Sequence, residues 1–280
     1  MNINYLKIEE ELNTYAIETI YDIMEKCGKF MTQEEFEAYE KCILENKVVI
    51  VNRPSATDDE FFKGNVPVAH GPRTKKDGYI HVYPHKYKNQ DTEQIINNYI
   101  NGSVILHELY HYIIRLDIKN AEDKIRIRFG HYITEGMVEL FTELHNKQKV
   151  TRWAARRNVD AAEKIYNTLL DKNDIKAIFK CNFEDIFAKY PELEIIYEDY
   201  KKECKFMEGL TSILEETKEK TSISPKKIIA RFNRFSLLEG IENIKLESEN
   251  YLDESDATNF RKQIDELYAS IYESKEKRLN

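Results

Sequence analysis

The sequence predicts an α+β protein that is predominantly helical, with a small mixed sheet near the N-terminus and a helical C-terminal subdomain. Nine glycines and six prolines in 280 residues are few, which favours long helices because these residues interrupt helices. Two short apolar segments have the pattern of strands, and both lie before residue 90. From about residue 160 onward nearly the whole chain has helical periodicity.

The N-terminal elements follow from periodicity and capping. Residues from about 4 to 27 form an amphipathic pattern that predicts a helix. Thr32 followed by Glu35 is a capping box, which predicts a second helix to about Glu45. The continuous β-branched run Val48–Val51 then predicts a buried strand.

Prolines and glycines are concentrated between residues 53 and 78, which predicts an irregular segment. A loop of this length is usually functional or mobile. The next five residues predict a second strand: Tyr79, Ile80, His81, Val82 and Tyr83. Pro84 closes it, and a strand ended by proline is typical of a sheet edge.

Helices account for the remainder. A long helix is predicted from about Thr92 to Leu116, and Thr134 has the character of an N-cap for another helix to about Lys147. Further helix starts are predicted at Asp160 with Glu163, at Ser224 with Pro225, and at Asp253, whose helix runs to Arg278. We expect subdomains at 1–117 and 118–280.

Composition excludes several function classes. The net charge of −8 gives no basic face, so we expect no nucleic-acid partner, and the basic run Thr151–Arg157 is interpreted as a solvated helix start. No apolar stretch of membrane-spanning length and no signal-peptide pattern occur, which predicts no membrane partner and a cytoplasmic location. The four cysteines form no CxxC pair, so reduced, buried thiols are expected.

The segment His107-Glu108-Leu109-Tyr110-His111 carries the predicted chemistry. On a helix, histidines four residues apart lie on one face, where both imidazoles can bind one zinc ion. Glu108 stands beside the first histidine, within reach of a water on that zinc, and can accept its proton as general base. The apolar residues on both sides of the motif argue against two exposed histidines, and the alternative to a metal site is a pair of histidines satisfied in a helical core.

A catalytic zinc needs a third protein ligand and one open position. Glu135 follows His111 after 23 intervening residues and is predicted in the first turn of a helix, where the dipole favours a carboxylate. Gly136 is predicted to allow close approach to the motif helix. Glu139, one turn later, is predicted to accept a hydrogen bond from a ligand histidine.

Together these residues resemble the gluzincin metallopeptidases, the thermolysin-like group, in which HExxH is followed by a helix bearing ExxxD/E. The match covers about residues 100–145, and Glu135-Gly136-Met137-Val138-Glu139 resembles the EGxxE stretch of small bacterial members. The resemblance implies a zincin-like fold, one Zn²⁺ per chain, ligands His107, His111 and Glu135, Glu108 as general base, and a peptide or protein substrate.

The resemblance also implies that an edge strand pairs with the extended substrate, and Tyr79–Tyr83 is the predicted strand, with an ordinary strand as the alternative. It implies an oxyanion donor as well. No motif locates that donor; the candidates are Tyr166, Tyr190, Tyr197, Tyr200, Arg126, Arg128 and His131. The strand lacks the GxMEN pattern of related aminopeptidases, which favours an endopeptidase.

Two alternatives remain beside the peptidase: a non-catalytic zinc module that binds a peptide or protein, and a regulatory protein with structural zinc. Glu108 favours the enzyme, because a structural site gains nothing from an acid beside its first ligand. The segment 53–78 is predicted to flank or cover the cleft, and His70, His81, His85 and His145 are predicted at the surface. The sequence leaves the substrate and the oligomeric state open.

Overall fold

The computed structural model of the protein describes most of the chain. The described residues are 3–29, 31–45, 47–53, 69–70, 79–87, 89–114, 124–147, 156–169, 171–221, 224–232 and 235–273. The interior of the predicted 53–78 segment, apart from residues 69 and 70, and the basic run before residue 156 therefore lie outside the described part. Among the described helices, none is long and apolar enough to cross a membrane.

The chain divides into two compact units that interleave along the sequence. The first unit contains residues 1–117, 138–150 and 169–179, and the second contains 118–137, 151–168 and 180–280. A division after residue 117 coincides with the predicted subdomain boundary, but two later segments belong to the first unit.

The first unit combines helices with the only strands of the described residues. Its elements are α1 (Tyr5–Cys27), α2 (Gln33–Glu45), β1 (Val49–Val51), β2 (Ala69–His70), β3 (Ile80–Val82), α3 (Thr92–Asn101), α4 (Val104–Tyr110) and α7 (Lys172–Phe179). The predicted α1 and α2 are confirmed, and β1 is confirmed as a strand, although it is buried at Val49 and only half-buried at the next two residues. The capping box forms: Glu35 N–H donates to Thr32 Oγ1 at 3.2 Å, and Thr32 N–H donates to Glu35 Oε2 at 2.7 Å.

The strands form one three-stranded sheet in the order β1-β3-β2. β3 pairs in parallel with β1 and antiparallel with β2, with Ala69 opposite Val82 and His70 opposite His81. The prediction that β3 is an edge strand is therefore wrong. The prediction relied on Pro84. That proline lies in a single 3₁₀ turn after the strand, so both edges of β3 can pair with other strands.

The outer edge of β1 is covered by side chains of α1. Asn13 Oδ1 accepts from Val49 N–H at 3.1 Å, and Asn13 Nδ2 donates to Val49 O at 3.0 Å. Glu9 Oε2 accepts from Val51 N–H at 3.1 Å. One asparagine thus replaces the donor and the acceptor that a further strand would offer, which satisfies main-chain groups that would otherwise lack a partner.

The predicted long helix from 92 to 116 is instead two helices, α3 and α4, separated by Gly102 and Ser103. Ser103 has φ 60° and ψ 17°, in the left-handed region, which ends α3 and redirects the chain. After Tyr110 the chain continues as tight turns, since the N–H groups of residues 111 to 113 each bond three residues back. His111 itself keeps right-handed helical angles.

The predicted helix start at Thr134 is wrong. One continuous helix, α5, runs from Lys124 to Asn146, so Thr134 and Glu135 lie in its interior. Thr134 is buried, and its hydroxyl donates to the carbonyl of His131 at 3.1 Å rather than capping a helix end. The helix-dipole argument for Glu135 therefore does not apply.

Every regular element among the described residues of the second unit is a helix. Besides the first part of α5 it contains α6 (Arg156–Thr168), α8 (Phe183–Lys189), α9 (Pro191–Glu216), α10 (Pro225–Phe232), α11 (Leu237–Glu247) and α12 (Glu254–Tyr272). The start at Pro225 and the Asp253 cap are confirmed, whereas α6 begins at Arg156, before the predicted Asp160. Phe206, Leu210, Phe232 and Phe260 are among the residues of its core.

The four cysteines are free thiols, as predicted; Cys27 and Cys181 are also buried, whereas Cys42 and Cys204 are only half-buried, so the prediction of burial is wrong for these two. Burial raises the pKa of both thiols, to about 11 for Cys181, because the thiolate would lose its hydration.

Candidate metal centre

His107 and His111 lie close together with their rings at a steep angle. His107 is in the last turn of α4 and His111 is the residue that ends the helix. Both are buried, and their Nε2 atoms are 3.2 Å apart, with ring centroids 4.9 Å apart and ring planes at 77°. The sequence prediction that both imidazoles share one face is confirmed, because His111 retains helical angles.

Glu139 contacts the Nδ1 side of the His107 ring, away from His111, as predicted. Its carboxylate Oε2 lies 3.1 Å from His107 Nδ1, and its side chain is fully buried. Since a carboxylate only accepts hydrogen bonds, Nδ1 carries the proton and donates it to Glu139. The lone pair of His107 is then on Nε2, the atom that faces His111.

Glu135 completes a group of three possible metal ligands. One ligand atom each from His107, His111 and Glu135 lies within 4.8 Å of the other two. Glu135 is half-buried, whereas the histidines are buried. Within the described part of the chain, this is the one group of three or more His, Cys, Asp or Glu side chains with such spacing.

The donor set and its spacing fit zinc. Two imidazole nitrogens bound to a tetrahedral zinc at about 2.0–2.1 Å lie roughly 3.3 Å apart. The observed separation of 3.2 Å between the two Nε2 atoms agrees with that edge of a tetrahedron. Two imidazoles and one carboxylate are also the donors of a catalytic site that leaves one position open.

Glu108 lies between the two histidines in sequence and is half-buried. Its main-chain carbonyl accepts the N–H of His111 at 3.2 Å, which helps to hold the second histidine at the helix end. The side chain follows His107 by one residue and is not one of the three grouped ligands.

Gly136 has the close contact that its sequence position predicted, but with a different helix. A methyl group on Gly136 would lie 2.1 Å from the main-chain oxygen of Asn158 and 2.9 Å from the Cβ of Ala162, both on α6. The prediction that Gly136 allows close approach to the motif helix is therefore wrong, since the helix that approaches it is α6. Glycine is needed here because α6 packs directly on α5 beside Glu135.

Sequence reasoning missed two contacts that hold the motif helix. Asn146 Nδ2 donates to Ser103 Oγ at 2.6 Å, which joins the end of α5 to the start of α4. Tyr110, fully buried, has its hydroxyl 3.3 Å from His145 Nδ1. Gly102 beside Ser103 was the available signal for the break, whereas nothing in the sequence indicated which side chains would meet.

His145 and His81 are not the surface histidines that were predicted. The side chain of His145 is 13 % exposed. Burial lowers its pKa, the positive charge of Lys26 lowers the pKa further, and the negative charge of Asp22 raises it. His81 is buried in β3, where its Nδ1 lies 3.0 Å from Asn52 Nδ2. His85 is half-buried, and the side chain of His70 lies outside what the structure describes.

The five residues predicted to bind substrate are mostly inaccessible. Ile80, His81, Val82 and Tyr83 are buried and Tyr79 is half-buried. The N–H of Ile80 donates to Val48 O at 2.7 Å and that of Tyr83 to the Tyr99 hydroxyl at 3.0 Å. The assignment of this strand to substrate pairing is therefore wrong, because its main chain already has partners.

Two of the oxyanion candidates belong to an aromatic group of the second unit. The ring centroids of Tyr197 and Tyr200 lie 4.9 Å and 5.2 Å from that of Phe129. Arg126 Nη2 donates to Glu184 Oε1 at 2.8 Å. The remaining candidates are placed as follows: Arg128 and His131 are exposed, and Tyr166 and Tyr190 are half-buried.

No protein-family model, curated protein or solved structure matches the chain. The resemblance to gluzincins therefore stays a prediction from the motif residues.

Proposed function

We propose that the protein is a zinc-dependent peptidase with His107, His111 and Glu135 as metal ligands and Glu108 as general base. The observation that carries this proposal is the grouping of the three side chains within 4.8 Å, with Glu139 behind His107. The two histidines and the glutamate come from segments far apart in sequence, so their meeting is a product of folding rather than of local spacing.

Each residue has a distinct task in this proposal. His107 and His111 offer neutral imidazole nitrogens, and Glu135 offers a carboxylate that offsets part of the metal charge. Bound zinc would supply a Lewis acid that polarises the scissile carbonyl and lowers the pKa of water. Glu108 accepts the proton from the attacking water and then donates it to the leaving amine.

Among the described strands, β2 has the one edge that no described strand or side chain is seen to occupy, and we propose substrate pairing there instead of on β3. Among the described strands, β3 is central and the outer edge of β1 is occupied by Asn13 and Glu9. β2, at residues 69–70, has β3 on one side and lies in contact with α4. An added strand would gain main-chain hydrogen bonds on its other side.

The decisive variant is Glu108→Gln, which keeps the size of the side chain and removes its basicity. We expect the full-length wild-type chain to bind one zinc and to cleave members of a quenched peptide library, with activity lost to a chelator and restored by zinc. The Gln variant should bind zinc as the wild type does and lose activity by at least about 100-fold, the usual contribution of a general base.

Glu163→Gln, at an exposed position of α6, is the matched control and should keep full activity. Zinc binding without cleavage by the wild-type chain would support instead a module that only binds peptide or a structural zinc. Equal activity of the wild-type and Glu108→Gln proteins on every substrate would rule out the proposed base. Absence of zinc binding would rule out the metal site.

A further inference from the structure

Helix α5 is held against the first turn of α6 at the level of Glu135. Gly136 provides the contact: a methyl group there would lie 2.1 Å from Asn158 O and 2.5 Å from its carbonyl carbon. Both atoms belong to the main chain of α6 and cannot rotate away. Glycine is unfavourable inside a helix, so its presence in the interior of α5 is explained by this packing and not by local preference.

Two hydrogen bonds fix the same contact one turn before Glu135. The hydroxyl of Tyr132 donates to the main-chain oxygen of Arg157 at 2.9 Å. In return, Asn158 Nδ2 donates to the main-chain oxygen of Tyr132 at 3.3 Å. Since these bonds join consecutive residues of α6 to one residue of α5, they set both the distance and the register of the two helices.

The ring of Tyr132 is itself held by neighbours. Its centroid lies 4.8 Å from that of Tyr200 and 6.2 Å from that of Phe129. Burial raises the pKa of the Tyr132 hydroxyl, the negative charge of Glu203 raises it further, and the positive charge of Arg157 lowers it. The hydroxyl therefore keeps its proton and can donate a hydrogen bond. The hydroxyl therefore points to α6 from a fixed ring.

We propose that Gly136 and Tyr132 are positioning residues that hold Glu135 at the metal by seating α5 on the first turn of α6. The inference rests on the proposed zinc site. Glu135 directly precedes Gly136 and follows Tyr132 by three residues, so any shift of this turn moves its carboxylate. His107 and His111 lie in α4 and at its end, so a shift of this turn of α5 would change the position of the Glu135 carboxylate relative to them and disturb the three-ligand geometry.

The test compares Gly136→Ala with Gly240→Ala in the full-length chain. At Gly240, in the same unit, a methyl group would lie 2.8 Å from ring atoms of Phe232 and 3.1 Å from its carbonyl oxygen, so that variant also carries a steric penalty. By competition with a chromophoric chelator, Gly136→Ala should bind zinc about 10–100-fold more weakly, as when supporting residues of a metal site are changed. Gly240→Ala should bind as the wild type does.

Cobalt substitution gives a readout that lost stability alone would not change. The visible absorption of Co²⁺ depends on the number and geometry of its ligands. We expect the spectrum of Gly136→Ala to depart from wild type toward that of Glu135→Ala, and the spectrum of Gly240→Ala to match wild type. Adding Ala162→Gly to Gly136→Ala should not restore zinc affinity, because the carbonyl of Asn158 remains in the way.

Tyr132→Phe decides the matter if Gly136→Ala does not fold. It removes one hydroxyl, keeps the ring, and should weaken zinc binding by about 10-fold, at the lower end of the range for such residues. If Gly136→Ala folds and binds zinc as tightly as the wild type, the positioning role is overturned while the zinc site stands. If Gly136→Ala does not fold, wild-type zinc affinity in Tyr132→Phe has the same meaning. Failure of the wild-type chain to bind zinc would overturn the proposed function and this inference together.

Discussion

At the scale of single residues, the buried carboxylate of Glu139 has the clearest purpose. An ionised carboxylate without solvent is costly unless it accepts hydrogen bonds, and Glu139 is fully buried with His107 Nδ1 at 3.1 Å. The pair fixes the proton of the imidazole on Nδ1 and leaves the lone pair on Nε2, as the proposed metal site requires. The burial of Glu139 beside His107 is therefore consistent with that proposed site.

Glu139→Gln tests this role, because it retains the shape of the side chain and removes its charge. An uncharged partner polarises the imidazole less, so zinc affinity should fall by about 10–100-fold. Chelator competition at constant pH measures the change. Glu143→Gln, a second buried acid one turn further along α5, serves as the control. Equal affinities of the Glu139→Gln and wild-type proteins would contradict the assigned role.

Sequence and structure agree on these residues for a simple reason. The spacing of His107 and His111 depends only on local helical geometry, which the sequence predicts well. Ser103 and Asn146 were not predicted, because their contact joins residues 43 positions apart. The burial of His145 was missed in the same way, since its surroundings come from other elements.

At the scale of elements, the break between α3 and α4 sets the direction of the helix that carries the HExxH motif. Gly102 and Ser103 carry it, and Ser103 rather than Gly102 adopts the left-handed angles. The hydroxyl of Ser103 accepts from Asn146 at 2.6 Å, which offers a reason for serine at a position that glycine fits best. A prediction from the sequence pattern gives one continuous helix here, because the apolar residues continue on both sides of the break.

Ser103→Gly and Ser103→Ala separate the two contributions. Both variants lose the hydroxyl that accepts from Asn146, but only alanine keeps a Cβ in the left-handed region. We expect Ser103→Ala to be less stable than Ser103→Gly by about 1 kcal/mol, the cost of that conformation for a non-glycine residue. Urea denaturation of the three proteins measures it. An alanine variant as stable as the glycine variant would contradict a left-handed Ser103.

The errors in α5 and β3 also belong to this scale. Thr134 resembles a helix cap, yet the helix continues through it because the surrounding residues are buried by packing from other elements. The place of β3 in the sheet depended on β2, a two-residue strand in a segment that reads as irregular. Both outcomes depend on contacts distant in sequence, which local patterns do not contain.

At the scale of the whole molecule, the proposed zinc would link distant parts of the chain. Two of its proposed ligands, His107 and His111, lie in α4 and at its end, and the third, Glu135, lies in α5. In the unfolded chain they would not be held together, so zinc should bind mainly the folded state and stabilise it.

Metal removal should therefore lower the melting temperature. At a free zinc concentration about 100 times the dissociation constant, the gain in unfolding free energy is about 2.7 kcal/mol. Thermal unfolding followed by circular dichroism, with zinc and then with a chelator, measures the difference. His107→Ala should melt at the same temperature in both conditions. A wild-type protein unaffected by chelator would contradict binding at this site.

The way α1 covers the outer edge of β1 has a consequence for self-association. Exposed strand edges are templates on which further copies of a chain can add, which leads to cross-β aggregates. Asn13 and Glu9 occupy the main-chain groups of Val49 and Val51, so no second molecule can pair there without displacing them. Among the described strands, the edge on which a further strand could add is then that of β2, the edge on which we propose that a substrate peptide pairs.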